Sequence, residues 1–335
     1  MTERQNALEI WLRTVCGQQF DHLQAMQGDA SFRRYFRLQA ANNTYVVMDA
    51  KPPKEDCRPY IAIAKCLRNM GLQVPEIFYS EEEQGFLLIS DFGDLTYLKA
   101  LTTRNADQLY TAALDVLMIL QTCRHVQDMQ IPSFTREIMW QEWAWCKEWF
   151  LAKLLDLSLS QEKHLDNCYA LLVESAASQP QVFMHRDYHS ANLMVLPKNQ
   201  VGVLDFQDAF MGPVTYDLVS LLRDCYIDWP EECVEFWALS YWKRLNEEKV
   251  IQGIDQEIFL KWFDWMGIER HLKALFTFSR KYVRDEQSAY LKHIPRTMQY
   301  LLDATERYEE LAPLHDYFSH TVEPALQQVR LLCVQ

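Results

Sequence analysis

The sequence predicts an α+β protein in two lobes: an N-terminal antiparallel sheet of five strands with one helix, then a larger helical C-terminal lobe. Three observations point there. Residues 20–90 alternate short apolar and aromatic runs with turn residues in the order β-β-β-α-β-β. From residue 94 onward, apolar residues recur at helical spacing over long stretches. That helical pattern breaks once, around residues 182–205, where three short strand-like runs lie close together.

Taken in order, Ala7, Leu8, Trp11, Leu12 and Val15 give an amphipathic opening helix that ends near Gly17. Strands are expected at 20–26, 33–38 and 44–48, joined by Gln27-Gly28-Asp29-Ala30-Ser31 and by Ala41-Asn42-Asn43. Lys51-Pro52-Pro53 breaks the third. A helix over 56–70 carries Tyr60, Ile63, Ala64 and Leu67 on one face and stops at Gly71. Two more strands, 76–79 and 85–90, flank a turn of glutamates. Strands are also expected at 181–184, 193–196 and 201–204. The expected division is residues 1–93 as a nucleotide-binding lobe, a hinge at about 90–94, and residues 94–335 as the lobe with the catalytic loop, metal site and substrate-binding helices.

The composition is that of a globular chain, with 49% hydrophobic and 24% charged residues and neither low complexity nor repeats. A net charge of −13 argues against a nucleic-acid surface, which needs a basic stripe, and against docking on anionic lipid. Nine scattered cysteines without a C-x-x-C pair read as reduced, buried thiols. The first fifteen residues mix charges with apolar positions, and no run of 18 apolar residues occurs, so the expectation is a soluble, cytoplasmic protein.

The chemistry concentrates at His185-Arg186-Asp187-Tyr188-His189-Ser190-Ala191-Asn192, followed 18 residues after Asp187 by Asp205-Phe206-Gln207-Asp208. Phosphoryl transfer needs a carboxylate to take the proton of an attacking hydroxyl. It also needs an amide oxygen and a second carboxylate to hold the magnesium that bridges the nucleotide phosphates. A capped turn between strands, with His and Asp as hydrogen-bonding turn residues, is the plainer alternative.

These residues resemble the protein-kinase-like superfamily, in particular its aminoglycoside phosphotransferase family. His189 gives the His-x-Asp-x-His spelling common there, and Gly212-Pro213-x-x-Tyr216-Asp217-Leu218 resembles the family's next landmark. Within that family the chain is most similar to the anomeric sugar kinases of bacterial cell-wall recycling, which act on N-acetylmuramate and N-acetylglucosamine. The similarity is carried by Gly28 to Arg37, Tyr45 to Ala50, His185 to Leu222, Arg270-His271-Leu272-Lys273 and Tyr282-Val283-Arg284-Asp285. The resemblance implies ATP and Mg²⁺ as cofactors, Asp187 as the base, and Asn192 and Asp205 as metal ligands. It also implies His185 and Asp217 as supports of the loop. His189 can brace the loop or touch substrate.

The nucleotide side departs from the pattern. There is no G-x-G-x-x-G, so Ser31 and the backbone after Gly28 are the candidate phosphate cradle. Where the third strand should end in a lysine stands Met48-Asp49, and the next helix has glutamate only before its start, at Glu55. Arg33, Arg34 or Arg37 can supply the missing charge, with Arg34 taken as the cofactor-binding candidate. Asp91-Phe92-Gly93 spells a kinase metal motif but precedes the catalytic aspartate. It reads as the hinge, where Ser90, Asp91 and Phe92 would meet adenine.

For the acceptor, Glu142, Asp208, Arg280 and Arg284 are the candidate contacts. Trp140, Trp143, Trp145 and Trp149 either stack sugar or pack a core, and Arg280, Lys281 and Arg284 either sit on the surface or read a lactyl carboxylate. The expected partners are a small sugar and ATP, with no nucleic acid and no membrane. A sugar-1-phosphate nucleotidyltransferase would take up the product. The rivals are an aminoglycoside phosphotransferase, which the acidic balance favours because its substrates are polycations, a choline- or homoserine-type kinase, and a pseudokinase.

Overall fold

The computed structural model describes residues 2–26, 32–40, 43–158 and 163–329. In chain order the first elements are α1 (Glu3–Thr14), β1 (Leu23–Ala25), β2 (Arg34–Ala40), β3 (Asn43–Asp49), α2 (Arg58–Asn69), β4 (Ile77–Glu81) and β5 (Phe86–Ser90). Helices α3 (Tyr97–Ala100), α4 (Ala106–Gln121), α5 (Arg136–Trp145) and α6 (Lys163–Ser178) follow, α5 running on as π-helical turns over Cys146–Leu154. Strands β6 (Gln181–Met184), β7 (Leu193–Val195), β8 (Val201–Val203) and β9 (Phe210–Pro213) come next. The remainder is helical: α7 (Tyr216–Leu222), α8 (Glu231–Glu247), α9 (Gln256–Val283), α10 (Ile294–Glu306), α11 (Ala312–Tyr317) and α12 (Glu323–Gln328). None of the described helices is long and apolar enough to cross a membrane.

The chain forms two compact units. One comprises residues 1–103, 125–131 and 191–208. Its five strands pair antiparallel in the order β1-β2-β3-β5-β4. The register puts Phe36 opposite Val47 and Val47 opposite Leu88, so these three share one face. Leu8, Trp11 and Leu12 of α1 pack on that face with Phe36, Leu38, Val47, Phe86 and Leu88. The other face carries Tyr35, Met48 and Leu87 in register, then Arg37, Val46 and Ile89. Gly85 closes the β4–β5 turn at φ +72°, where a Cβ would stand 1.9 Å from the Ala50 carbonyl oxygen, so only glycine fits.

The predicted first strand is shorter than its apolar run, because Phe20 is drawn into the α1 cluster and only Leu23–Ala25 pairs with β2. The hairpin β7–β8 belongs to this unit. Gln73 bridges to Gly202, Thr96 bridges to Met194, and Val195 N–H donates to Leu95 O.

The second unit comprises residues 104–124, 132–190 and 209–335. Its centre is α9, a 28-residue helix that packs against α6, α7, α8, α10 and the π-helical turns. The buried residues of α9 include Asp264, Glu269 and His271 among the apolar ones. Asp264 is paired with Arg223 at 2.7 Å, as a buried charge requires. Strand β9, which sequence periodicity does not reveal, pairs with β6 from Gln181↔Pro213 to Met184↔Phe210. Four residues ending in Gly-Pro carry too little pattern to read as a strand, and it is the partner that makes them one.

Candidate active site

In the second unit β6 delivers the chain directly into His185, which is fully buried. Two positions on, the Asp187 N–H donates to His185 Nδ1 at 3.3 Å, so that nitrogen is the unprotonated one and the proton sits on Nε2. Arg186 occupies φ +76°, a left-handed conformation that costs a non-glycine residue about 1–3 kcal/mol. Asp217, in the first turn of α7, holds that bend: its carboxylate accepts the N–H of His185 at 2.6 Å and of Arg186 at 3.0 Å. Burial pushes the Asp217 carboxyl up to about 7, against the pull of those two donors. Tyr188 anchors the loop on α4 through a 2.8 Å hydrogen bond to Ala113 O. Buried Asp224 accepts the N–H of Ser190 at 2.9 Å and also its hydroxyl. His189 lies edge-on to Tyr226, with ring centroids 5.4 Å apart.

Asp187 stands among cations. Arg270 Nη2 donates to its Oδ1 at 3.3 Å, and Lys273 Nζ lies 3.9 Å away. These two residues are three apart on α9, hence on one face of it. Lys273 also donates to Tyr216 Oη at 2.9 Å, and Arg270 Nε to Ser220 Oγ at 2.8 Å. Burial would raise the Asp187 carboxyl, but Lys273, Arg270, His189 and Arg186 outweigh it and hold the group well below the usual carboxylate range. With 40% of its side chain exposed, Asp187 is an accessible, ionised carboxylate.

Glu142 is buried and accepts from Arg186 Nη2 at 3.4 Å. Beside it lies Glu269 of α9, buried as well. Burial first, and then the neighbouring Glu142, raise the Glu269 carboxyl well above its ordinary value, favouring its protonated form. An acid raised in the folded state stabilises below its unfolded value and loses that contribution as pH rises through the folded one. Glu269→Gln, neutral at every pH, is therefore expected to flatten the loss of stability as pH rises above the ordinary carboxylate range, read as the thermal midpoint against pH.

The tryptophan stripe divides. Trp143 is core, stacked on Tyr169 at 5.1 Å with its Nε1–H on Asp166 at 2.6 Å, whereas Trp149 lies under Lys153 at 3.5 Å. Arg280 covers the rings of Trp145 and Phe276, and Arg284 pairs with Asp285 at 2.7 Å. Ten residues along α9 from Arg270 to Arg280 is about 15 Å.

In the first unit the β7–β8 ladder runs from Val195↔Val201 to Leu193↔Val203. At its open end Leu204 N–H donates to Asn192 O at 3.0 Å, which sets Asn192 and Asp205 side by side in the chain's course. Asp205 adopts φ +61°, a left-handed conformation aspartate tolerates better than most residues. Gln207 Nε2 donates to Asp205 Oδ1 at 2.8 Å and to Asp208 Oδ2 at 3.0 Å. Phe206 packs on Tyr60 of α2 with centroids 4.8 Å apart. Gly202 leaves room for Phe92, whose Cδ2 would lie 2.8 Å from a Cβ there.

The Asp91 carboxylate is engaged by Arg37 at 2.7 Å and by the Gly93 N–H at 2.9 Å. Ser90 Oγ accepts from Glu76 N at 2.9 Å. Arg34 donates from Nε to Asp49 at 3.1 Å, and Arg4 reaches the same buried carboxylate at 2.6 Å. Ser31, with Gly28, Asp29 and Ala30, lies outside the described residues.

Asn192 and Asp205 offer hard oxygen donors, with Asp208 near Asp205 through Gln207. Among the described residues no group of three His, Cys, Asp or Glu side chains could cage a metal ion. A set of two or three oxygens without a cage fits magnesium, which keeps waters and takes phosphate oxygens for the rest. The Gln207 amide agrees: its nitrogen must face the two carboxylates, leaving a buried Oε1 without a partner. Periodicity missed Arg270, Lys273, Glu269 and Asp224; for the first three, charged positions within the buried stripe of α9 were the available signal.

Residues 22–249 match the family described as the phosphotransferase enzyme family, APH. A Pseudomonas putida protein named N-acetylmuramate/N-acetylglucosamine kinase is 40% identical over 294 residues, 87% of this chain and 86% of the relative. Its namesake in Pseudomonas aeruginosa is 43% identical over 288 residues, 85% of this chain and 84% of the relative. The one from Neisseria meningitidis is 38% identical over 322 residues, 93% and 94% respectively. The fold is shared with choline kinase LicA from Streptococcus pneumoniae, at TM-score 0.61 and 12% identity over 90% of this chain and 100% of that one. An ADP-bound aminoglycoside phosphotransferase, APH(2'')-Ib, gives TM-score 0.58 and 17% identity over 88% and 98%.

Proposed function

The chain belongs to the phosphotransferase enzyme family, and on that footing we propose that it moves the γ-phosphoryl group of ATP to the anomeric C1 hydroxyl of N-acetylmuramate and N-acetylglucosamine. The γ-phosphorus leaves the bridging oxygen of ADP and bonds to O1 of the sugar, and the hydroxyl proton passes to Asp187. Asp187 orients that hydroxyl, and His185, Asp217 and Asp224 keep the loop in its left-handed bend. Asn192 and Asp205 would hold the metal. Magnesium, when bound, neutralises the charge on the phosphate oxygens. We further propose the division near residues 90–94, with the nucleotide on its N-terminal side. Cell-wall recycling and a nucleotidyltransferase that consumes the 1-phosphate complete the reading.

The relatives' shared name supports the sugar, and one geometric observation carries the choice among acceptors. Arg186, Arg270 and Lys273 gather around Asp187, Arg270 at 3.3 Å and Lys273 at 3.9 Å. That neighbourhood repels a polycationic aminoglycoside or a quaternary ammonium and suits a neutral or anionic sugar, whatever the net charge of −13 over the whole chain implies. The experiment is a panel of N-acetylmuramate, N-acetylglucosamine, kanamycin and choline with MgATP, the product position read by ³¹P NMR. Both N-acetyl sugars are expected to give a phosphate coupled to H1. Turnover of kanamycin or choline with neither sugar would overturn the proposal.

A further inference from the structure

The sheet lacks the lysine that pairs the nucleotide phosphates in this class of fold, and the register says which residue takes its place. Residues directly opposite in an antiparallel pair share a face, and successive residues alternate. The face of β3 with Tyr35 opposite Met48 and Arg37 opposite Val46 carries Thr44, Val46 and Met48 on that strand, and no cation. On β2 and its lead-in, the cations of the matching parity are Arg33 and Arg37. Arg34 is on the opposite face, locked with Arg4 onto buried Asp49. Arg37 is committed at the far end to Asp91 and Asp94, at 2.7 and 3.0 Å.

Arg33 is placed differently. Its Nε donates to Glu55 Oε2 at 3.0 Å, and the two side chains are only 11% and 12% exposed. Glu55 Oε1 accepts the N–H of Phe32 at 3.1 Å, so this one carboxylate fixes both the guanidinium and the backbone that carries it. The other edge of the guanidinium points to the metal-side acids, with Nη1 3.8 Å from Asp208 Oδ2. Tyr35, next on the same face, is raised to about 12 by burial, and the nearby charges of Arg33 and Asp205 both reach it. A mostly buried arginine is thus held by a glutamate just before α2, with Nη1 turned toward Asp208.

We propose that Arg33 is the nucleotide-phosphate cation of this enzyme and Glu55 its positioning residue, an Arg–Glu pair from the edge of β2 in place of a lysine on β3. The proposal rests on the reading of the chain as an ATP-dependent kinase. A guanidinium also presents two donors to one phosphate, which an ammonium does not.

The test compares Arg33→Met, Arg33→Lys, Glu55→Gln and, as a control for lost surface charge near α2, Arg58→Met. Steady-state kinetics and calorimetric binding of adenosine, ADP and a non-hydrolysable ATP analogue are measured on each full-length protein. Losing charged hydrogen bonds of about 1.5–3 kcal/mol corresponds to a roughly 10- to 100-fold rise in KM for MgATP and in Kd for ADP. That rise is expected for Arg33→Met, with adenosine affinity unchanged. Arg33→Lys is expected to recover part of the loss, Glu55→Gln to show a smaller one, and Arg58→Met none. A parent that prefers ADP to adenosine, with an Arg33→Met variant that keeps that preference, overturns the assignment alone. A parent with no preference for ADP over adenosine overturns both the assignment and the ATP reading beneath it.

Discussion

Asp187→Asn is expected to lower kcat by about 10²–10⁴-fold while leaving nucleotide binding in place. The amide keeps the shape of the carboxylate and its place among Arg270, Lys273 and Arg186 but cannot take a proton. The cations hold the parent carboxyl well below the ordinary range, which makes it a weak base in the resting protein. Weakness is tolerable here, because a loose phosphoryl-transfer transition state leaves the attacking hydroxyl protonated until late. In the proposed reaction the chief work of Asp187 is then to aim the hydroxyl and to accept its proton once that oxygen has begun to bond to phosphorus. Turnover with MgATP and each sugar, beside calorimetry with an ATP analogue, separates the two effects. Parent-like turnover in the variant would remove Asp187 from the mechanism.

Asp205→Ala is expected to abolish the dependence of nucleotide binding on magnesium and to lower kcat/KM by on the order of 10²–10³-fold. Metal neutralisation of a transferring phosphoryl group is worth several kcal/mol, and each 1.36 kcal/mol is tenfold in rate. Asp205 sits at the open end of the β7–β8 ladder beside Asn192, with one carboxylate oxygen already fixed by Gln207. Removing it takes away an oxygen donor that no cluster of other acids among the described residues replaces. Titration of the ATP analogue with and without MgCl₂ reads the effect. Asp91, although it also begins an Asp-Phe-Gly, spends its carboxylate on Arg37 and the Gly93 N–H. Asp91→Ala is therefore expected to keep the magnesium dependence. If Asp205→Ala keeps it and Asp91→Ala loses it, the two motifs have been assigned the wrong way round.

Much of the architecture was legible because it is written in neighbouring residues. Alternation over Tyr35, Phe36, Arg37 and Leu38 marks β2 before any partner is known, and the 3.6-residue stripe Tyr60, Ile63, Ala64, Leu67 marks α2. The spacing from His185 to Asp205 is likewise local, and it carried the family with it. Where the reading stopped, the deciding contact was remote. Strand β9 exists because β6 lies beside it.

The sequence by itself determined the two classes of secondary structure, their order, and where the candidate acid and amide groups fall along the chain. Only the tertiary structure decided the charges around them. Arg270 meets Asp187 across 83 residues of chain, and Arg33, Arg34 and Arg37 divide among Glu55, Asp49 and Asp91. The physical reason is that side-chain periodicity follows from backbone geometry a few residues long, whereas the partner of a charge is fixed by strand register and helix packing. Three arginines within five residues look alike until the sheet assigns them faces.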